Sequence, residues 1–283
     1  MKLLNVGCGA RYSKMAEWIN IDILSTGEGV IVHDLKKGIP YPDNSFDLVY
    51  HSHVLEHIPK EYAGSFLTEC IRVLRPGGIL RVVIPDLEQI VRTYLSLLEK
   101  GLQAPDDLMN AANYDWMMLE MYDQTVRNKS GGEMLACLSK ANIPNQDFIL
   151  QRCGYEAKNL MELLKAKPAL PKIEKPLSLV KRLYGFLVNS PYRKKILLKY
   201  LLKEEYETLQ QGIFRQGGEV HQWMYDRYSL IRLFTERGME SIVQRAASES
   251  YCKPWSGFNL DTQANGSIYK PDSLYMEGIK RHT

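Results

Sequence analysis

Four groups of residues able to do chemistry occur in order near the start of the chain: Gly7-Cys8-Gly9, Asp22, Asp34-Leu35 and His51-Ser52-His53. Each stands where a short apolar run gives way to a polar or glycine-rich stretch. A glycine turn lets backbone amides come into contact with a ligand, because neither glycine carries a Cβ. A carboxylate at a second strand end can accept two hydrogen bonds from a ribose diol. One at a third strand end can accept a bond from an adenine amino group while an apolar neighbour covers the ring. These groups together suit an adenosine-containing cofactor.

The runs that must position them read as strands. Leu3 to Val6 passes directly into the glycine turn, the pattern of a buried parallel strand. Trp18 to Asp22, Gly29 to His33, Phe46 to His51 and Ile79 to Ile84 follow. Only a short, irregular helix fits between the first two. Pro40 to Ser45 is a loop by composition. Glu61 to Leu74 has helical spacing, with Phe66, Cys70, Val73 and Leu74 on one face, and Arg75-Pro76-Gly77-Gly78 reads as its stop. Short strands separated by helical segments predict a parallel sheet with right-handed crossovers. In such a sheet the carboxyl ends of the strands share one edge, where a ligand sits.

Beyond Asp86 the pattern changes. Leu87 to Leu102 reads as a helix, Ala111 to Tyr122 is rich in methionine and aromatics, Thr125 to Gly132 reads as a loop, and Gln146 to Lys165 as a helix or helix pair. No strand signal returns before about Gly218. Asp226 to Arg237 then reads as an amphipathic helix stopped at Gly238, with strands over Met239 to Ala247 and Ser273 to Lys280. The expected organisation is 1–86 as the cofactor-binding half of an α/β core, 87–218 as a helical insertion or lid, and 219–283 as the rest of the core. No internal repeat is present.

Several segments resemble the class I S-adenosylmethionine-dependent methyltransferase family: LLNVGCGAR, INID, HDLKKGIPYPDNSFDLVYHSHVLEHI and ECIRVLRPGGILRVVIPD. The resemblance covers 2–86 well and 219–280 more loosely; the insertion has no counterpart in the family core. It implies a doubly wound, mostly parallel seven-stranded Rossmann-like sheet carrying a mostly helical inserted subdomain, with S-adenosylmethionine as cofactor. It also implies roles. Gly7, Cys8 and Gly9 would line the methionine part, Asp22 would hold the ribose, and Asp34 and Leu35 the adenine. His51 and Ser52 would face the sulfonium and the acceptor. Asn5 replaces a usual acid, so its contact with the cofactor's amino group is expected to be weaker or water-mediated. Arg11 stands near a usual third glycine. The family's helix before the first strand is absent, so the insertion is expected to supply the lid.

For most of these residues a plain structural role competes with the chemical one. Asp22 and Asp34 could be helix N-caps, and so could Asp86, which otherwise could orient an acceptor. Arg11 could steer an anionic acceptor or be solvated. Trp223 and Tyr225 could form a substrate platform or belong to the core. Glu56-His57, just before Pro59, reads as a structural turn. If the acceptor is a hydroxyl, a base must take its proton; His221 and His53 are the candidates. The acceptor is expected to be a sugar or glycan hydroxyl, with O- or N-methylation of a small metabolite as the alternative. A NAD-dependent oxidoreductase is disfavoured because G-x-G-x-x-G fails at Tyr12. A non-catalytic cofactor-binding scaffold is the remaining alternative.

Composition sets outer bounds. The 283 residues carry 45% hydrophobic and 24% charged side chains, ordinary for a globular protein. The formal charge of +3 and the absence of a recognisable module argue against a nucleic-acid partner. That charge is unevenly placed. Residues 165–203 hold eleven Lys/Arg against Glu174, a net of +10, leaving −7 for the remainder. Interleaved with leucines and aromatics, this stretch is either a solvated basic face or an amphipathic surface able to contact an anionic membrane. Five scattered cysteines without a C-x-x-C pair argue against disulfides and a structural zinc site, and no metal is expected. A short N-terminal apolar run and no span of ~20 apolar residues predict a cytoplasmic protein, able at most to lie on the inner face of a membrane.

Overall fold

The computed structural model describes residues 1–166 and 188–282. Seven strands form one sheet: β1 (Leu3–Val6), β2 (Trp18–Asp22), β3 (Val30–Val32), β4 (Phe46–Ser52), β5 (Leu74–Pro85), β6 (Met239–Arg245) and β7 (Ser273–Lys280). Their order is β3-β2-β1-β4-β5-β7-β6. β1 to β5 are mutually parallel, and β7 runs antiparallel to both β5 and β6. The chain therefore winds outward from β1 to β3, then restarts at β4 on the other side of β1. That reversal leaves a crevice at the carboxyl end of β1, where Gly7 begins the turn.

The two sheet faces are covered differently. Alternation along the strands sends Leu4, Val6, Val49, Leu80 and Val82 to one face. There they pack against Phe66 and Leu67 of helix α1 (Lys60–Val73) and Leu230 and Phe234 of a helix over Arg227–Thr235. Asp226 starts the latter helix with a reciprocal capping box to Ser229. Leu3, Leu48, Tyr50 and Val83 point to the opposite face. No helix joins β1 to β2, so this face is roofed instead by the segment after β6. Trp255 and Phe258 of that segment pack edge-on against Tyr50 and Trp18, at 5.1 and 5.2 Å between ring centroids.

Arg81 lies within this second face with no solvent exposure. Its guanidinium pairs with Asp261 at 2.8 Å and Glu277 at 2.9 Å and stacks on Trp255. It also donates to the carbonyls of Ala246, Ala247 and Glu249. Burial alone would lower the Arg81 pKa, but the two carboxylates raise it.

The remaining helices lie between β5 and β6: α2 (Leu87–Gln103), α3 (Leu108–Val126), α4 (Gly132–Leu138), α5 (Gln146–Ala166), α6 (Ser190–Leu202) and α7 (Glu205–Arg215), before α8 (Arg227–Thr235). The methionine- and aromatic-rich stretch is the inner face of α3. Trp116 and Met117 pack with Ile90, Ile149 and Met161 into a core separate from the sheet. α5 is broken at Gly154, where φ is +61°, so the helix-pair alternative describes it. Of the basic stretch 165–203, residues 167–187 lie outside the described residues. In α6, Leu197, Tyr200 and Leu201 are exposed on the helix that also carries Lys194, Lys195 and Lys199.

Two expected boundaries differ. β5 starts at Leu74, because Leu74 already pairs with Phe46; Arg75-Pro76-Gly77-Gly78 then bulges from the ladder, with φ +75° at Gly77, and pairing resumes at Ile79 with Leu48. α3 continues to Val126, through the start of the stretch read as a loop.

Among the described residues, replacing Arg81 by Met would leave buried Asp261 without an ion-pair partner and Glu277 with only its 3.4 Å contact to Arg245, at a cost of about 3–5 kcal/mol. Arg75→Met removes an exposed pair with Asp47 and should cost at most about 1 kcal/mol. Urea denaturation of both variants measures the contrast, and equal losses would contradict it.

Candidate functional site

Gly7 has φ +67° and Gly9 +54°, which turns the chain back over the end of β2. The amides of Gly7 and Cys8 donate to the Ile21 carbonyl at 2.8 and 3.1 Å. Gly9 N donates to Asp22 Oδ2 at 2.8 Å, and Leu24 N to Oδ1 at 3.0 Å. A Cβ on Gly7 would meet Val54 at 2.5 Å, whereas one on Gly9 would meet no protein atom within 4 Å. Gly7 is thus required by packing, and Gly9 faces open space.

That space is a cavity of about 460 Å³, within the size range of small-molecule and cofactor sites. One wall is the predicted set Asn5, Gly7, Cys8, Gly9, Arg11, Ser52 and His53. The other comes from distant sequence: Tyr155, Glu156 and Asn159 of α5, and Asp261, Tyr269 and Lys270 before β7. Sequence reasoning missed this second wall, since nothing local distinguishes Tyr155 or Tyr269 from surface tyrosines. The break at Gly154 builds it. Tyr155 N donates to the Tyr269 carbonyl at 3.1 Å, and Lys270 pairs with Glu156 at 2.8 Å.

Several expected roles change. Arg11 lines the cavity, but its Nε and Nη2 donate to the carbonyls of Leu260, Asn259 and Thr262, with Tyr269 beneath the guanidinium. It therefore fastens the far wall. Cys8 is held as a neutral thiol, its pKa pushed up to about 11 by burial and by Asp22. Asp34 caps the short turn Leu35–Lys37 by accepting from Lys36 N, and Leu35 packs on the core; neither lines the cavity. Asp86 caps α2 by accepting from Gln89 N. Tyr225 is core, its hydroxyl pushed up to about 12 by burial and by Glu56. Trp223 is exposed, with Lys60 Nζ 3.9 Å from its ring centre. The His51 ring does not reach the cavity either. Tyr50 and Ser52 point there, so strand alternation turns His51 inward against Phe66.

The two candidate bases separate in the same way. His221 is buried against His57, ring centroids 4.7 Å apart, and burial drives its pKa down to about 3. It is not part of the cavity wall. His53 is part of it. Its backbone holds a left-handed φ of +54°, costly for a residue with a Cβ, and its amide is anchored to the Val83 carbonyl. Its Nε2 lies 2.9 Å from Ser273 Oγ and its Nδ1 3.0 Å from Glu56 Oε1. Burial would raise the Glu56 pKa, but the hydrogen bond from His53 and the charges of His53, His221 and His57 bring it down to about 2.

Comparison with known proteins bears on this half of the sheet. The family described as "Methyltransferase domain" matches residues 4–82, from β1 into β5. Residues 4–82 thus resemble a methyltransferase domain. The probable methyltransferase ltbC of Aspergillus luteorubrus is 33% identical over 107 residues, 28% of this chain and 38% of that protein. A probable S-adenosylmethionine-dependent methyltransferase of Mycolicibacterium smegmatis is 33% identical over 99 residues, 30% of this chain and 38% of that protein. The chain thus covers little more than a third of the length of either relative. A crystal structure of a methyltransferase from Archaeoglobus fulgidus aligns over 99% of this chain and 86% of its own, with 11% identity and a TM-score of 0.37. A domain of this family implies S-adenosylmethionine as cofactor, and the glycine turn, the open space at Gly9 and the cavity are compatible with it. Among the described residues, no helix is long and apolar enough to cross a membrane.

His51 supplies a pH test of its inward placement. Neither ring nitrogen has a hydrogen-bond partner, and burial lowers its pKa to about 4, against an opposing effect of Glu56. Unfolded, the imidazole titrates near 6.5, so between those values the unfolded chain binds the extra proton. Stability should therefore fall with pH across that window, by about 2 kcal/mol between pH 7 and pH 5. His221, whose pKa burial also lowers, contributes a fall of the same sign, so in His51→Leu this part of the pH–stability profile, measured by urea denaturation, should be shallower by about 2 kcal/mol and not flat.

Proposed function

We propose that this chain is an S-adenosylmethionine-dependent methyltransferase acting on a hydroxyl of a sugar or glycan. What carries the reading is one arrangement: the glycine turn at the sheet's reversal point opens onto the cavity that also receives His53. Bound there, the cofactor would supply an electrophilic methyl group and leave as S-adenosylhomocysteine. Gly7, Cys8 and Gly9 would lie along it, and Asp22, already fixing the turn, would reach the ribose from the end of β2. Holding acceptor and methyl in line is the larger part of such catalysis, worth ~7–11 kcal/mol.

A hydroxyl acceptor must lose its proton as the bond forms, and His53 is the imidazole placed in the cavity wall to take it. Glu56 fixes one ring nitrogen, so the other, now beside Ser273, can turn its lone pair toward an acceptor. The far wall supports a hydroxyl-rich acceptor. Tyr155 and Tyr269 offer aromatic faces 6.0 Å apart, and Asn159, Glu156 and Lys270 offer hydrogen-bonding groups. The exposed basic helix α6 would let the enzyme approach a lipid-linked or anionic saccharide, through peripheral contact with an anionic membrane.

Calorimetric titration with S-adenosylhomocysteine, with NAD as control, tests the cofactor. Saturable binding of the former alone is expected. Gly9→Ala, which projects a methyl into the cavity, should weaken it by at least about tenfold, or 1.4 kcal/mol. Preferential binding of NAD, or no binding of either, would reject the reading. Transfer of a labelled methyl group to a saccharide panel tests the acceptor. His53→Gln should slow that transfer by about 10²–10⁴-fold while leaving S-adenosylhomocysteine affinity unchanged. Label that enters small amines and never saccharides would replace the glycan by a metabolite acceptor.

A further inference from the structure

Behind His53, outside the cavity wall, Glu56 meets two side chains that the methyl-transfer reading does not use, His57 and His221. Glu56 and His57 belong to the turn after β4, and His221 to the segment that returns from the helices to the sheet. One donor atom from each lies within 4.8 Å of the others. Glu56 is fully buried and His221 is 4% exposed. Glu56 Oε2, His57 Nδ1 and His221 Nδ1 are all buried without a hydrogen-bond partner. Among the described residues no Lys or Arg forms an ion pair with Glu56; its ion-pair contact is His53.

A buried carboxylate facing two unpaired imidazole nitrogens is costly as it stands. A cation between them would satisfy all three at once. Two imidazoles and a carboxylate form a borderline donor set that suits zinc, with a fourth position left for water. Tetrahedral ligands at about 2.0–2.1 Å lie roughly 3.4 Å apart, so donor atoms up to 4.8 Å apart must draw in by at most about 1.4 Å, within reach of side-chain torsions. The His57 ring also donates to the Val220 backbone, leaving Nδ1 as the lone-pair nitrogen. That is the outer hydrogen bond by which metal-binding histidines are oriented.

We propose that Glu56, His57 and His221 bind one divalent transition-metal ion, zinc by their donor chemistry. The ion ties the return segment to the turn that carries His53, and Glu56 bridges it to the His53 ring. The expectation of no zinc site rested on cysteine spacing, and this set contains no cysteine. The proposal stands independently of methyl transfer.

The backbone here is fixed without the three side chains. Glu56 O accepts from Gln222 N and Trp223 N at 2.6 and 3.3 Å, and His221 N donates to Gln124 O at 2.9 Å. Glu56→Gln, His57→Gln and His221→Gln should therefore fold, as circular dichroism would verify. The experiment is elemental analysis of the purified full chain, zinc competition against a chromophoric chelator, and visible absorption after cobalt(II) loading. Wild type should hold one zinc per chain, melt at a lower temperature after chelation, and show ligand-field bands with cobalt. Each variant should lose affinity by more than the roughly 10–100-fold that loss of an outer-shell partner costs, together with the bands. Zinc retained equally by the folded variants, or none bound by wild type at micromolar zinc, would overturn the site.

Discussion

The structure depends most on the buried cation of Arg81. A guanidinium in the middle of a sheet face is costly to desolvate, and attraction repays that cost only when every donor is matched. Here Asp261 and Glu277 supply the charge, Trp255 the stacking surface, and three carbonyls take further donors. Those partners come from β7 and from the irregular chain between β6 and β7. The pair therefore contributes less to net stability than to choosing one path for that chain. Asp261 accepts from Tyr50 on β4 as well, so the path is fixed at two points of the sheet. The neighbouring carbonyls of Asn259, Leu260 and Thr262 then fall where Arg11 can reach them. Through this relay a charge in β5 sets the distance between the glycine turn and the opposite wall of the cavity.

The cavity is consequently a product of two kinds of constraint. Its near wall is local: a strand, a turn with two positive-φ glycines, and Asp22 one strand over accepting the Gly9 amide. Such a wall needs little beyond hydrogen-bond accounting along a few residues. Its far wall is assembled from α5 and from the chain before β7. It holds only while Gly154 breaks the helix and Lys270 finds Glu156. The near wall matches the methyltransferase family, whereas the far wall lies outside residues 4–82. Selectivity for an acceptor would thus reside in the part of the chain that the family match does not cover.

What could be read from the sequence follows the same division. β1, β2, β4 and β7 were legible because each is an apolar run ended by glycine or polar residues, and α8 because Asp226 and Gly238 bracket its period. The doubly wound, seven-stranded sheet followed from family resemblance more than from periodicity. His51 was misplaced because alternation along β4 turns Tyr50 and Ser52 to the cavity and His51 away from it, while His53 reaches the cavity through its left-handed backbone just past the strand end. Asp34 and Asp86 carried two readings each, and a carboxylate at a strand end before a helix caps it whichever role it also serves. Arg81 left a trace, a charge inside ILRVVI, but its partners lie 180 and 196 positions away and no local pattern points to them. Glu56 was read as a turn residue, which its backbone is; the burial of its side chain shows only in three dimensions.

Glu56 also explains how His53 can occupy a conformation that a β-carbon disfavours. The left-handed backbone at position 53 is maintained by an amide bond to β5 and by a ring bound at both nitrogens. Loss of either ring contact would let the backbone relax to a more extended conformation and withdraw the imidazole from the cavity. In the proposed reaction Ser273, at the start of β7, would be displaced by an acceptor hydroxyl that makes an equivalent hydrogen bond. Glu56 cannot be displaced in that way, because it is buried and its own carbonyl is locked to the return segment. The asymmetry gives the ring one fixed nitrogen and one exchangeable one. A residue that must hold its orientation while exchanging a proton with a substrate requires that division of contacts.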